Sequence, residues 1–265
     1  MQADFEQNAA FHNRVAPSYD ARVSGPNEVL ARKAFQALVA RYVPAGSTLL
    51  DFGCGTGLDA MEYARLGYRV LAYDNSRGMV AQLEQRCAAQ IASGRISTSD
   101  AAYPAFPKQL SQWPAPHAVT ANFAVLNSIR DLQPLFEEFA GRLAAPGWMI
   151  VSLLNPIHWS KMKTRDWWRD ALRHPRGPRV YTVQPSVSYL HFVPALLHAA
   201  KPFRLVGRAN AGALVRYDAA MPPNEPPTWW MPEGRAPAGL TGKLWHTPAY
   251  QLMGHFMFLV LRRDP

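Results

Sequence analysis

Cysteine is almost missing from this chain: Cys54 and Cys87 are the only two in 265 residues. Two such residues supply neither a disulfide framework nor a four-ligand metal centre, so no metal site is expected. Cys54 is read as a small buried filler rather than a nucleophile. Apolar runs of membrane-spanning length are absent as well, and residues 1–10, with Asp4 and Glu6, lack the basic and apolar regions of a signal peptide. A cytoplasmic location is the resulting expectation. Acidic residues are scarce only in the second half. Residues 1–150 carry 13 Lys and Arg against 13 Asp and Glu, whereas residues 151–265 carry 15 against 6, with six of the eight His and six of the eight Trp. A neutral, regular half followed by a basic, aromatic, proline-rich half suggests a cofactor module joined to a substrate module.

Regular patterning fills the first half. Apolar residues at helical spacing predict a helix over Asn27 to Tyr42, and a looser one over Phe5 to Asp20 that Pro17 ends. Strands are predicted at Thr48–Phe52, Tyr68–Tyr73, Ile96–Ser99, Ala118–Phe123 and Trp148–Leu154, with helices between them and a proline-rich loop after the third. Alternation at this spacing argues for a parallel, doubly wound sheet. Past Asn155-Pro156 the rhythm breaks: a basic, Trp-bearing helix is expected over Ser160–Arg173, short strands at 179–183 and 187–192, a helix at 194–200, a strand from Phe203, and a loop over Met221–Pro237. His255 to Arg262 is nearly continuous in apolar residues, as in a strand buried on both faces and inserted in the sheet.

One stretch organises all of this. Leu49 to Gly57 reads Leu-Leu-Asp-Phe-Gly-Cys-Gly-Thr-Gly, a buried strand that breaks into a glycine loop at the start of a helix. Gly53, Gly55 and Gly57 allow positive φ and close approach of a ligand to backbone, and the helix N-terminus turns its N–H groups to the same place. Dinucleotide loops have the spacing G-x-G-x-x-G with the acid about 20 residues on. Here an acid, Asp51, already heads the loop, which opposes a pyrophosphate and suits an ammonium group. Asp74 ends the second strand, where a carboxylate accepts ribose hydroxyls, and Asp100 ends the third, within reach of an adenine amino group. Acids at three successive strand ends describe a cationic nucleoside with an amino-acid tail.

The segments Leu49–Gly57, Tyr68–Asp74, Ser99–Ala101 and Ala118–Asn127 resemble the successive motifs of class I S-adenosylmethionine-dependent methyltransferases. Phe11, Val15-Ala16, Tyr19 and Asp20 resemble the N-terminal segment of many small-molecule members. The resemblance implies an α/β, Rossmann-like, doubly wound seven-stranded sheet, its last strand antiparallel, with an insertion or cap after strand five. It implies a cofactor-binding core with an N-terminal helical cap over 1–155, a substrate-side insertion over 156–202, and remaining core strands with a Pro-rich loop over 203–265. S-adenosylmethionine is the implied cofactor. Gly53, Gly55 and Gly57 would surround its methionyl part, Asp51 its amino group, Asp74 the ribose, and Asp100 with Ala101 the adenine. Asn75 and Met79 would flank the adenine, Asn122 and Phe123 line the methionyl side, and Tyr19 closes over it.

For the acceptor the sequence offers less. Methyl transfer from a sulfonium needs alignment, and a base only where the nucleophile must lose a proton. His158 and His191 are the best placed histidines for a base or a substrate contact. Trp159, Trp167 and Tyr189, with Trp168 and Phe192, are candidates for an aromatic wall holding a small, aromatic or hydrophobic acceptor. The basic residues Lys161, Lys163, Arg165, Arg169, Arg173, Arg176 and Arg179 form a solvated face, attract an acidic substrate, or rest on an anionic membrane beside a lipid-like quinone. Methylation of RNA is disfavoured, since Ala121-Asn122-Phe123-Ala124 stands where base-methylating enzymes carry an Asn/Asp-Pro-Pro-aromatic element, and no RNA-binding module is evident. A non-catalytic cofactor-binding partner protein is the remaining alternative. The acceptor atom and the oligomeric state are not legible.

Overall fold

Helices open the chain: α1 (Gln2–Val15), a 3-10 turn at Ala16–Ser18, α2 (Tyr19–Arg22) and α3 (Pro26–Tyr42). The computed structural model describes residues 2–158, 162–173, 178–183, 186–211, 231–232 and 255–265. Five strands follow, β1 (Thr48–Phe52), β2 (Arg69–Tyr73), β3 (Ile96–Ser99), β4 (Ala118–Ala121) and β5 (Gly147–Leu154). Between them run α4 (Leu58–Arg65), α5 (Arg77–Arg86), α6 (Ala88–Ala92), α7 (Phe106–Gln112) and α8 (Gln133–Arg142). Beyond β5 come α9 (Arg165–Arg173), the hairpin β6 (Arg179–Val183) and β7 (Ser186–Leu190), α10 (Val193–Ala199), β8 (Arg204–Ala211), the two-residue β9 (Met231–Pro232) and β10 (Phe256–Arg263).

The sheet order is β3-β2-β1-β4-β5-β10-β8, with β9 on the outer edge of β8. Strands β1 to β5 pair in parallel, and β10 runs antiparallel to both β5 and β8. The expected seven strands with the last one antiparallel and inserted are thus present, and the short β9 extends the edge. Met257 to Leu261 are all buried, as a strand covered on both faces requires. One apolar layer packs Phe35, Leu38 and Tyr63 of α3 and α4 against one face of the sheet, and another packs Phe106, Phe136, Phe139 and Leu196 of α7, α8 and α10 against the other.

Two expectations need correction. The stretch after β3, read as a proline-rich loop, contains α7: Pro107 stands in its first turn, where no N–H is required, and Phe106 and Leu110, one turn apart, are both buried. Pro17 lies inside the 3-10 turn and α1 already ends at Val15. Most of the Met221–Pro237 loop lies outside the described residues.

Candidate active site

The glycine loop is stapled to the end of β2. The N–H groups of Gly53 and Cys54 both donate to the Tyr73 carbonyl, at 2.7 and 2.9 Å. Gly53 has φ +77°, and a Cβ there would stand 2.1 Å from a Val125 methyl. Gly55 has φ +53° with open space beside it, so its missing side chain leaves room along the cleft. Its N–H donates to Asp74 Oδ2 at 3.0 Å, and Ser76 N–H donates to Oδ1 at 2.9 Å. Each Asp74 oxygen keeps capacity for a further donor. Burial raises the Asp74 carboxyl above its ordinary value, against the Ser76 and Gly55 N–H groups and the nearby His12.

Beneath the loop Asp51 is buried, and its Oδ1 accepts from Thr120 Oγ1 at 3.0 Å. Its Oδ2 is buried without a partner. Burial, reinforced by the neighbouring Asp59, pushes its carboxyl up to about 8, against the Thr120 hydrogen bond and the Arg32 charge. Asp59, in the first turn of α4, accepts from Arg32 at 2.7 Å, Gln36 at 2.8 Å and Asn122 at 3.0 Å. The Asn122 Oδ1 in turn accepts from Ser152 Oγ at 2.9 Å and Phe123 N–H at 2.8 Å, and the Arg32 guanidinium lies 4.3 Å over the Phe123 ring. Phe123 and Ala124 take φ of +50° and +65°, a strained turn of the kind that collects at functional sites.

A roof covers this floor. The Asn8 side chain of α1 accepts from Val187 N–H and donates to the Val187 carbonyl, each at 3.2 Å, tying α1 to the β6–β7 hairpin. His12 donates through Nδ1 to the Asn8 carbonyl at 2.8 Å. Asp20 accepts from Thr56 Oγ1 at 2.6 Å and pairs with Arg86, which also reaches the Thr56 carbonyl. Tyr19 precedes Asp20 in sequence, and burial raises its hydroxyl pKa despite Arg32. Floor and roof enclose a cleft of about 310 Å³, large enough for a drug-sized ligand.

Of the residues singled out as cofactor contacts, Tyr19, Gly53, Gly55 and Asp74 line this cleft, and so do Asn75, Met79, Asn122 and Phe123. Asp51 and Gly57 lie beneath it, Gly57 with Leu83 filling the space a Cβ would need. Asp100 is exposed and Ala101 half-buried, and neither lines the cleft. At that end Tyr103 stacks on Phe5 of α1 at 4.0 Å, and the two rings wall a small side hollow together with Tyr73, Asp74 and Asn75.

The acceptor-side choices fare differently. His191 is buried, its Nε2 donates to the Ile129 carbonyl at 2.8 Å, and burial lowers its pKa, so it is a neutral tie between segments. His158 is buried edge-on to His255 at 5.3 Å. Trp167 is buried with its indole N–H on the Pro156 carbonyl at 2.7 Å, and Tyr189 is buried with its carbonyl accepting from Asn127 at 2.7 Å. None of the four lines the cleft, and Trp159 lies outside the described residues. Leu154, Phe256, Val187 and Ser188 are among the residues that do line the cleft. Sequence reasoning also passed over Asn8, His12, Arg32 and Asp59. Only Asp59 carried a local signal, an acid in the first turn after the glycine loop.

Family membership makes this protein a methyltransferase that uses S-adenosylmethionine. The methyltransferase-domain family matches residues 27–185, and the chain belongs to it. No curated protein matches. Among solved structures, the magnesium protoporphyrin IX methyltransferase of Synechocystis PCC 6803, with bound S-adenosylhomocysteine, is 15% identical, with 98% of this chain and 100% of that one covered and a TM-score of 0.59. The 1,6-didemethyltoxoflavin-N1-methyltransferase of Burkholderia thailandensis, holding its acceptor and S-adenosylhomocysteine, is 15% identical over 99% and 91%, with a TM-score of 0.54. The (4+2) cyclase SpnF is 16% identical over 98% and 97%, with a TM-score of 0.62. At such identities the likeness concerns the fold, which hosts more than one chemistry.

Proposed function

We propose that this chain transfers the methyl group of S-adenosylmethionine to a small, flat, hydrophobic acceptor packed at the Phe123–Leu154–Phe256 end of the cleft. The observation that carries the cofactor's placement is the partnerless Asp51 Oδ2 beneath the glycine loop. Buried and unpartnered, this carboxyl group would gain a partner in the methionyl ammonium, whose charge favours its ionised form. Asp74 would accept the ribose hydroxyls, Asn75 and Met79 flank the adenine, and Gly53 and Gly55 admit the methionyl chain. Arg32, with one nitrogen on Asp59, would offer others to the methionyl carboxylate.

The acceptor end differs in character. Phe256 and Leu154 are register partners across β10 and β5, and the Phe123 and Phe256 rings meet edge-to-face at 5.7 Å. Val187 and Ser188 of the hairpin also line the cleft. Among the described lining residues the carboxylates, Asp59 and Asp74, belong to the cofactor stretch, so this end suits an apolar ring. The bound cofactor supplies an activated methyl sulfonium. The chain's part is to hold the acceptor's nucleophile in line with it and to exclude water. Alignment of this kind is worth several kcal/mol, up to roughly 7–11 in well-oriented systems. With the His191 Nε2 engaged by Ile129, no proton transfer is assigned to it.

Calorimetry with S-adenosylhomocysteine, followed by its release from S-adenosylmethionine with a panel of phenols, quinols and heteroaromatics against polar amines and amino acids, tests both halves. No binding sinks the cofactor placement. Turnover of polar amines alone sinks the acceptor class.

A further inference from the structure

Away from the cleft, few large apolar side chains of the described residues stand in water, and two share one face of α9. Trp168 is 54% exposed and Leu172 85% exposed, one helical turn apart. At about 100° per residue α9 sorts its side chains into stripes. Trp167 turns inward, buried, with its indole on Pro156 and the Arg179 guanidinium 5.5 Å over its ring. Trp168 and Leu172 come next around the helix, and Arg165, Arg169 and Arg173 follow, all exposed. Lys163 precedes them, also exposed. Asp166 engages Arg169 at 2.7 Å. The Trp168 indole N–H already donates to the Met162 carbonyl at 2.8 Å, so the ring presents mainly carbon to solvent.

An apolar stripe bordered by an arginine ridge matches a helix lying in the headgroup region of an anionic bilayer, its apolar side chains at the acyl boundary and its cations on lipid phosphates. Leu172 projects almost fully from the surface, a shape that enters a fluid layer more readily than it seats on a rigid partner. We propose that α9 docks this protein on an anionic lipid surface through Trp168, Leu172 and the arginines beside them. The helix is anchored at Pro156, two residues beyond Leu154 of the cleft wall, so docking brings the acceptor end close to the bilayer. The proposal goes beyond the acceptor reading, which is measured without lipid.

Flotation of the full chain with vesicles of phosphatidylcholine containing phosphatidylglycerol, against phosphatidylcholine alone, tests it. The protein should rise with the first and not the second, and added salt should weaken the association. The double variant Trp168→Ser, Leu172→Ser should partition at least about tenfold less. Arg165→Gln with Arg173→Gln should lose about fivefold for each arginine. Unchanged S-adenosylhomocysteine binding in either pair confirms an intact core. Wild-type protein that stays down with both vesicles, or intact variants that float like wild type, would overturn the proposal, the first outcome leaving the ridge to an acidic protein partner.

Discussion

The backbone N–H of Gly55 donates to the side chain of Asp74 at 3.0 Å, so the loop after β1 and the carboxylate after β2 form one unit before any ligand arrives. Asp74→Ala removes the acceptor for two backbone N–H groups, those of Gly55 and Ser76, as well as for the proposed ribose. A loss of about 2–3 kcal/mol in binding of S-adenosylhomocysteine is expected from unmet donors of this kind. Calorimetry reads it, and an unchanged dissociation constant would contradict the assignment.

The proposed ammonium contact of Asp51 predicts that binding depends on pH. Its carboxyl is raised from an ordinary 3.8 to about 8, so the free protein holds it protonated at neutral pH. Because the folded value is the higher one, Asp51 favours the folded state fully below about pH 4, and that contribution is lost as pH rises through about 8. An ammonium seated beside it reverses the preference and releases the proton. Affinity for S-adenosylhomocysteine should therefore rise with pH up to about 8, by at most tenfold per unit, and level off above. Binding enthalpies in buffers of different ionisation heat would count the proton. Asp51→Asn should abolish the dependence, and a pH-independent wild type would contradict it.

The loop glycines should separate stability from binding. Gly53→Ala places a methyl 2.1 Å from Val125, so a fall in thermal midpoint is expected, with overpacking costing about 1–3 kcal/mol. Gly55→Ala meets open space and carries only the left-handed backbone cost, about 1–2 kcal/mol. Its methyl enters the cleft, so cofactor binding should fail while most of the stability remains. Thermal melts with and without S-adenosylhomocysteine distinguish the two, and equal effects would undo the argument.

Asn8 carries the tie between α1 and the hairpin. Asn8→Ala removes two hydrogen bonds and strands the Val187 backbone groups, at about 1 kcal/mol each. Amide exchange at Val187 should speed up, together with faster release of S-adenosylhomocysteine in stopped flow. Unaltered protection there would show that the roof is held by other contacts.

Much of the core was legible because its causes are local. Apolar runs of strand length, Gly67 at φ +94° closing α4, and Ser76 capping α5 through Met79 N–H all act within a few residues. The exceptions are equally specific. Prolines between β3 and β4 spelled a loop, yet Pro107 sits where a helix tolerates it. Asp100 follows a strand end as expected but is exposed, and the side hollow at that end is walled instead by Phe5 and Tyr103. His191 and Trp167 looked available in one dimension and are committed to the carbonyls of Ile129 and Pro156 in three.

By itself the sequence determined the alternating strands and helices of the parallel half, the glycine loop with the carboxyl groups of Asp51 and Asp74 around it, and hence the class of cofactor, since periodicity, positive φ and strand ends are read over a handful of residues. Only the tertiary structure decided which side chains line the cleft. Arg32 finds Asp59 across 27 residues and Asn8 finds Val187 across 179. Pairings at such separation depend on how helices and hairpin pack over the sheet, and no local pattern records them.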